Sequence, residues 1–157
     1  MKQEVSTKMN NDRLSASFRQ KSAGVSLFTI FLIGMYYVAN LMSLLPSSQP
    51  VPNGALSVVI TTVVLIVIVE SALQIVLFIG AGKIENRTEL DDVIATQASR
   101  NAYVVLSVGV FAVFASMFAG FTPFQMGSTL LLAFLLAEIV KFGSQIVYYR
   151  RSQNDSN

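Results

Sequence analysis

The sequence predicts an all-α membrane protein, a four-transmembrane-helix bundle with both termini on the cytoplasmic side. Three observations carry this expectation. First, the 157 residues are 53% hydrophobic and only 13% charged, with a mean hydropathy of +0.58, which is too little polar surface to clothe a water-soluble domain. Second, four apolar runs are each long enough to cross the roughly 30 Å hydrocarbon layer as helices rising about 1.5 Å per residue. Third, the cations sit in alternate connections. Lys2, Lys8, Arg13, Arg19 and Lys21 precede the first run, Lys83, Arg87 and Arg100 lie between the second and third, and Arg150 and Arg151 follow the fourth, whereas 46–54 and 122–125 carry none. The positive-inside rule then places both termini and the charged middle segment in the cytoplasm of a cell with an inner membrane.

Residues 1–23 read as a polar tail whose first part is expected to be disordered. Leu14 and Phe18 lie four apart, so 12–21 can form a short helix on the membrane face, the alternative being a solvated tail. The first span, 24–45, ends at Pro46, which cannot continue a helix. A polar stretch precedes it and no small-x-small site closes it, so it is expected to be retained rather than cleaved as a signal peptide. The second span, 55–79, is followed by Gly80 and Gly82, which suit a helix end. In the cytoplasmic loop 80–100, Thr88 precedes Asp91 by three, a capping-box-like start that predicts a helix beginning near Glu89 and running into the third span, 101–121. The fourth span, 126–149, follows an uncharged loop containing Pro123, and 150–157 forms the second cytoplasmic tail. Tyr103, Tyr148 and Tyr149 are placed to anchor helices at the cytoplasmic interface.

A faint repeat predicts a two-plus-two build from parallel hairpins. Residues 68–76 align without gaps on 139–147, and Gly34, Val38 and Met42 correspond to Gly109, Val113 and Met117. Chance matches are frequent in apolar sequence, and a period that occurs only twice leaves duplication and coincidence both open.

The chemistry-bearing residues inside the spans are few. The chain has no Cys and no His, which removes thiol chemistry, imidazole-based catalysis and Cys/His metal sites. What remains is an intramembrane polar cluster of Glu70, Gln74, Glu138, Lys141 and Gln145, together with Asn40. Spacings of three and four put Glu138, Lys141 and Gln145 on one face, and Glu70 with Gln74 on another. Glu70 and Lys141 are expected to form an interhelical ion pair. A charge at a helix centre costs roughly 2.5 to 3.5 kcal/mol, so each should have a partner. Two carboxylates against one ammonium leave one negative charge to be met by a proton, a bound cation or water. Two readings stand: a proton or cation relay, or a polar clasp that fixes which helix faces inward.

Rows of small residues at spacings of four, Ala112, Ser116 and Gly120 on the third helix and Ala133 and Ala137 on the fourth, predict close helix contacts. Phe111, Phe114, Phe118 and Phe121 form an aromatic row facing lipid or a neighbour. Residues 80–83 lack the spacing of a phosphate loop, no residue set suggests a metal or cofactor, and the basic tail lacks the aromatics of a nucleic-acid binder.

The segments 89–106 and 135–151 resemble a family of small uncharacterised bacterial inner-membrane proteins with four helices. Asp92, Val93 and Ile94 leading to Arg100 and Tyr103 fit its charged pre-helix segment, and Glu138 three before Lys141 fits its last helix. Residues 88–91 lack the arginine of that pattern. The resemblance covers the C-terminal half and implies no known activity, although such proteins look like companions of small DNA-binding regulators. Two functions follow as expectations. One is a non-catalytic sensor, regulatory or accessory component that meets a cytoplasmic protein through 83–100. The other is a small proton- or cation-coupled transporter, working as a homo-oligomer, that uses Glu70 and Glu138. An enzyme would rest on carboxylates alone and is not expected.

Overall fold

The computed structural model describes residues 2–45, 49–81 and 89–154, with side chains described over 20–45, 49–72, 75 and 91–152. Among these residues the chain forms four helices, α1 (Lys2–Leu44), α2 (Ala55–Ala81), α3 (Glu89–Phe118) and α4 (Pro123–Asn154), all long and apolar enough to cross a membrane. Pro46, Gly82, Lys83, Arg87, Thr88 and the side chain of Gln74 lie outside the described residues.

The N-terminal tail differs from expectation. Helix α1 starts at Lys2 and continues without a break into the first span. No Gly or Pro occurs before Gly24, and a span already helical supplies the nucleus, so adding further residues carries none of the nucleation cost that makes short isolated helices marginal.

The joints are written locally. Before α2, the Ala55 N–H donates to the Pro52 carbonyl (3.1 Å) across Asn53 and Gly54. Gly54 sits at φ +84°, the conformation a type II turn requires at its third residue. Helix α3 ends where Gly120 takes φ +76° and the Phe121 N–H reaches back to the Ser116 carbonyl (3.3 Å), a Schellman closure. Two residues later Thr122 Oγ1 accepts from the Gln125 N–H (3.3 Å), and Gln125 Oε1 accepts from the Thr122 N–H (2.9 Å). This capping box, with Pro123 at the first helical position, starts α4 three residues earlier than the sequence reading placed it.

Helix α4 packs on both α3 and α1, and α1 packs on α2. The apolar core joins Ile30, Ile33, Tyr37 and Leu41 of α1 to Ile66 of α2 and Leu135 of α4, and no described residue of α3 belongs to it. Helix α3 instead buries Asp91, Ile94, Ala98, Ala102 and Ser116, and meets Ala133 of α4, while Ala137 is also buried. A Cβ at Gly109 would collide with the Ala133 side chain, which marks the closest approach of the two backbones.

This corrects two of the expected packing residues. Ala112 is exposed, and Gly120 lies beyond the end of α3, where it caps the helix. A strict row of four precesses by about 40° per step around a helix of 3.6 residues per turn, so it leaves the seam. Ala102, Gly109 and Ser116 are seven apart and stay on it.

The surface is apolar and several of the enclosed groups are polar. Phe111, Phe114 and Phe118 on α3 are 73%, 58% and 94% exposed, while Ser26, Thr62, Ser116, Ser128 and Glu138 are buried. Apolar surface this extensive on a water-soluble monomer would drive association. On helices of this length it is the face offered to acyl chains.

Candidate functional site

The intramembrane ionisable residues converge at one place. Helix α2 presents Thr62, Ile66 and Glu70 at intervals of four, and the first two are buried against the core, so the same face carries Glu70 inward. Helix α4 presents Leu135, Glu138 and Phe142 to the same side, with Leu135 and Glu138 buried. Lys141 Nζ lies 2.9 Å from Glu138 Oε2 and 4.0 Å from Glu70 Oε1. The side chains of Lys141, Glu70 and Glu138 are 28%, 30% and 12% exposed.

The geometry revises the expected pairing. The close, hydrogen-bonded partner of Lys141 is Glu138 of its own helix, and the interhelical contact to Glu70 is the longer one. Because α4 begins at Pro123 rather than at 126, Glu138, not Lys141, sits at the same distance from its helix start as Glu70. The ammonium also lies 5.1 Å from the Phe142 ring centroid, within cation–π range. Glu70 Oε1 is enclosed and accepts no hydrogen bond. Lys141 is thus hydrogen-bonded to Glu138, and its contact with Glu70 Oε1 is the longer, purely electrostatic one. Chemically the trio can hold a proton or a small cation between two carboxyl groups and one ammonium.

The remaining members of the expected cluster are peripheral. Gln145 is half-buried one turn beyond Lys141. Asn40 donates to the Tyr36 carbonyl of its own helix at 2.8 Å, so its amide is met locally. No cluster of three or more metal-ligating side chains occurs among the described residues.

A second polar constellation escaped the sequence reading. Near the start of α3 and the end of α4, the Tyr149 hydroxyl donates to Asp91 Oδ1 (3.0 Å), and both residues are buried. Asn101 Nδ2 donates to Tyr148 Oη (3.0 Å) and Ser144 Oγ (3.3 Å). Tyr148 and Tyr149, expected at the cytoplasmic interface, link α4 to α3, and Tyr103, 71% exposed, faces outward. The only signal is weak, a seven-residue spacing that puts Asp91 on the same face as apolar Ala98 of α3 and that no local rule connects to α4.

The fold, the apolar exterior and the enclosed acid–lysine trio define the class, a multi-pass helical membrane protein. Compared with protein families, with curated proteins and with solved structures, the chain matches none.

Proposed function

We propose that the protein is a non-catalytic component of a bacterial inner membrane, a sensor, regulatory or accessory subunit, with both termini and the 83–100 segment in the cytoplasm. The observation that carries this reading is the concentration of polar interhelical bonds where α3 begins and α4 ends, Asp91 to Tyr149 and Asn101 to Ser144 and Tyr148. They brace the part of the chain next to its charged middle segment, so that segment leaves a fixed base. The resemblance carried by 89–106 and 135–151 points the same way. Acid–base chemistry would rest on Glu70 and Glu138 without imidazole, which favours a role other than catalysis.

The natural absence of Cys makes the test clean. Single substitutions Asn53→Cys, Thr96→Cys and Ser152→Cys are each reacted with a membrane-impermeant maleimide in intact cells. The expected result is labelling of Asn53→Cys alone. Labelling of Thr96→Cys or Ser152→Cys from outside reverses the orientation. A photocrosslinker at position 96 should then give a reproducible adduct with a cytoplasmic protein in cells, and its absence across growth conditions counts decisively against the accessory role.

A second reading is favoured by one specific observation, the enclosed Glu70 Oε1 that accepts no hydrogen bond beside Glu138 and Lys141. In it the protein is a small proton- or cation-coupled transporter, active as a homo-oligomer, and Glu70 and Glu138 carry the coupling ion. In proteoliposomes with an imposed pH or cation gradient, Glu70→Gln and Glu138→Gln should each abolish flux measured for the wild type. Wild-type flux in both variants eliminates this reading.

A further inference from the structure

One side of α4 carries a groove formed by residues three and four apart. Val140, Gly143, Ser144, Val147, Tyr148 and Arg151 line an open space of about 390 Å³, within the usual range for small-molecule sites. Gly143 makes the notch, since a Cβ there would meet nothing within 4 Å. From Val140 to Arg151 the helix rises about 16 Å, half of the roughly 30 Å hydrocarbon thickness and therefore one leaflet. The groove is apolar at its deep end and polar toward the helix terminus.

Its polar groups are donors. Arg151, in the last turn of α4, is exposed and can only donate. Ser144 Oγ and Tyr148 Oη each accept from Asn101 Nδ2, so their own hydrogens turn away from Asn101 and remain for an acceptor outside the protein. Among the described residues no carboxylate lines the groove. A groove one leaflet long, with an apolar stripe of about 10 Å leading to two hydroxyl donors and a guanidinium, matches one amphiphile, a lipid with an anionic head.

We propose that this groove binds an anionic phospholipid of the leaflet at the C-terminal end of α4. The phosphate lies against the Arg151 guanidinium and the Tyr148 hydroxyl, an ester carbonyl lies against Ser144, and one acyl chain follows Val147, Gly143 and Val140. The site rests on α4 crossing the membrane and is independent of which function the protein serves.

The test uses the full-length chain purified in detergent and native mass spectrometry, with phosphatidylglycerol and phosphatidylcholine of identical chains. The wild type is expected to retain phosphatidylglycerol about fivefold better, the factor one interfacial cation contributes near anionic lipid. Arg151→Gln removes that preference, and Arg150→Gln, outside the groove, leaves it. Gly143→Leu, whose Cβ has nothing within 4 Å, fills the notch and lowers retention of both lipids about fivefold or more. Melting in detergent reports whether each variant is folded, and Val147→Phe serves as the filling variant if Gly143→Leu is not. Equal retention of the two lipids by the wild type, unchanged retention in the filled variant, or equal effects of Arg150→Gln and Arg151→Gln would each overturn the proposal. Displacement of the lipid by glycerol phosphate overturns the part assigned to the acyl chain.

Discussion

Helix α3 is held to α4 by small residues and hydrogen bonds, whereas α1 is held to α4, and α2 to α1, by large apolar side chains. Across the α3–α4 seam lie Gly109 against Ala133, and Asp91 and Asn101 bonded to Tyr149, Tyr148 and Ser144. In the other half, Ile30, Ile33, Tyr37 and Leu41 interlock with Ile66 and Leu135. Inside a bilayer, exchanging lipid contact for helix contact yields little hydrophobic gain, so close backbone approach and polar bonds decide which helices stay together. The α3–α4 hairpin has both devices, and its connection is also fixed by a Schellman closure followed by a capping box. The other half depends on the fit of its side chains and on the acid–lysine trio. The two halves should therefore fail in different ways.

The largest expected effect falls on the trio. Lys141→Ala removes the cation shared by Glu138 and Glu70 and leaves two acids facing one another. Breaking a buried pair costs about 3 to 5 kcal/mol, and the partial exposure of Lys141 and Glu70 places this one near 3. Glu138→Leu combined with Lys141→Met should cost less than about 1 kcal/mol, since an apolar replacement of both partners is often neutral. Unfolding in a denaturing-detergent titration measures both. If single and double variants lose the same stability, the trio is not what joins α2 to α4.

Next comes the seam. Gly109→Ala places a methyl group against Ala133 and should cost about 1 to 3 kcal/mol, the range for overpacking. Adding Ala133→Gly should recover most of it, and the double-mutant cycle isolates the contact. Failure of that rescue would mean that the helices already stand apart at Gly109. Loss confined to the α3–α4 half, seen as faster hydrogen exchange in 91–118 with α1 unaffected, would sharpen the contrast between the halves.

How much of this was legible in the sequence follows from the range of each interaction. The four helices follow from apolar runs and breakers, and the start of α3 near Glu89 from the Thr88–Asp91 spacing, all of which act within a few residues. The joint at 120–125 was equally local: Gly120 followed by Thr122, Pro123 and Gln125 spells a helix stop and a capping box. It was obscured because Gly120 was assigned to a packing row. The ion trio was legible as a composition but not as a pairing, because whether Lys141 reaches Glu138 or Glu70 depends on where α4 begins and how α2 approaches it. The bond from Tyr149 to Asp91 links residues 58 apart in the chain and has no local signature at all. Continuous helicity before Gly24 was missed for another reason: polarity was read as disorder, although polar residues extend a helix readily once a span has nucleated it.

A third prediction separates the polar lock from the seam. Tyr149→Phe removes the donor to buried Asp91 while keeping the ring. Hydrogen bonds to charged groups contribute about 1.5 to 3 kcal/mol, so a loss near 1.5 is expected, and Asn101→Ala should add to it almost independently because it bonds different partners. A change below about 0.5 kcal/mol for Tyr149→Phe would show that small-residue packing alone holds the hairpin.

The smallest effect expected is at the connection. Thr122→Ala deletes the oxygen that accepts from Gln125 N–H and leaves Gln125 with half of a reciprocal pair. Losing a helix cap costs about 0.5 to 2 kcal/mol, and the value here should lie near 1, since Pro123 already removes one of the N–H groups needing a partner and holds the first turn in shape. The same change at Asn53, which precedes Gly54 in the other hairpin and makes no such box among the described contacts, should be close to neutral. If Asn53→Ala and Thr122→Ala destabilise equally, the two connections are equivalent, and the contrast between the halves rests on the packing of α3 alone.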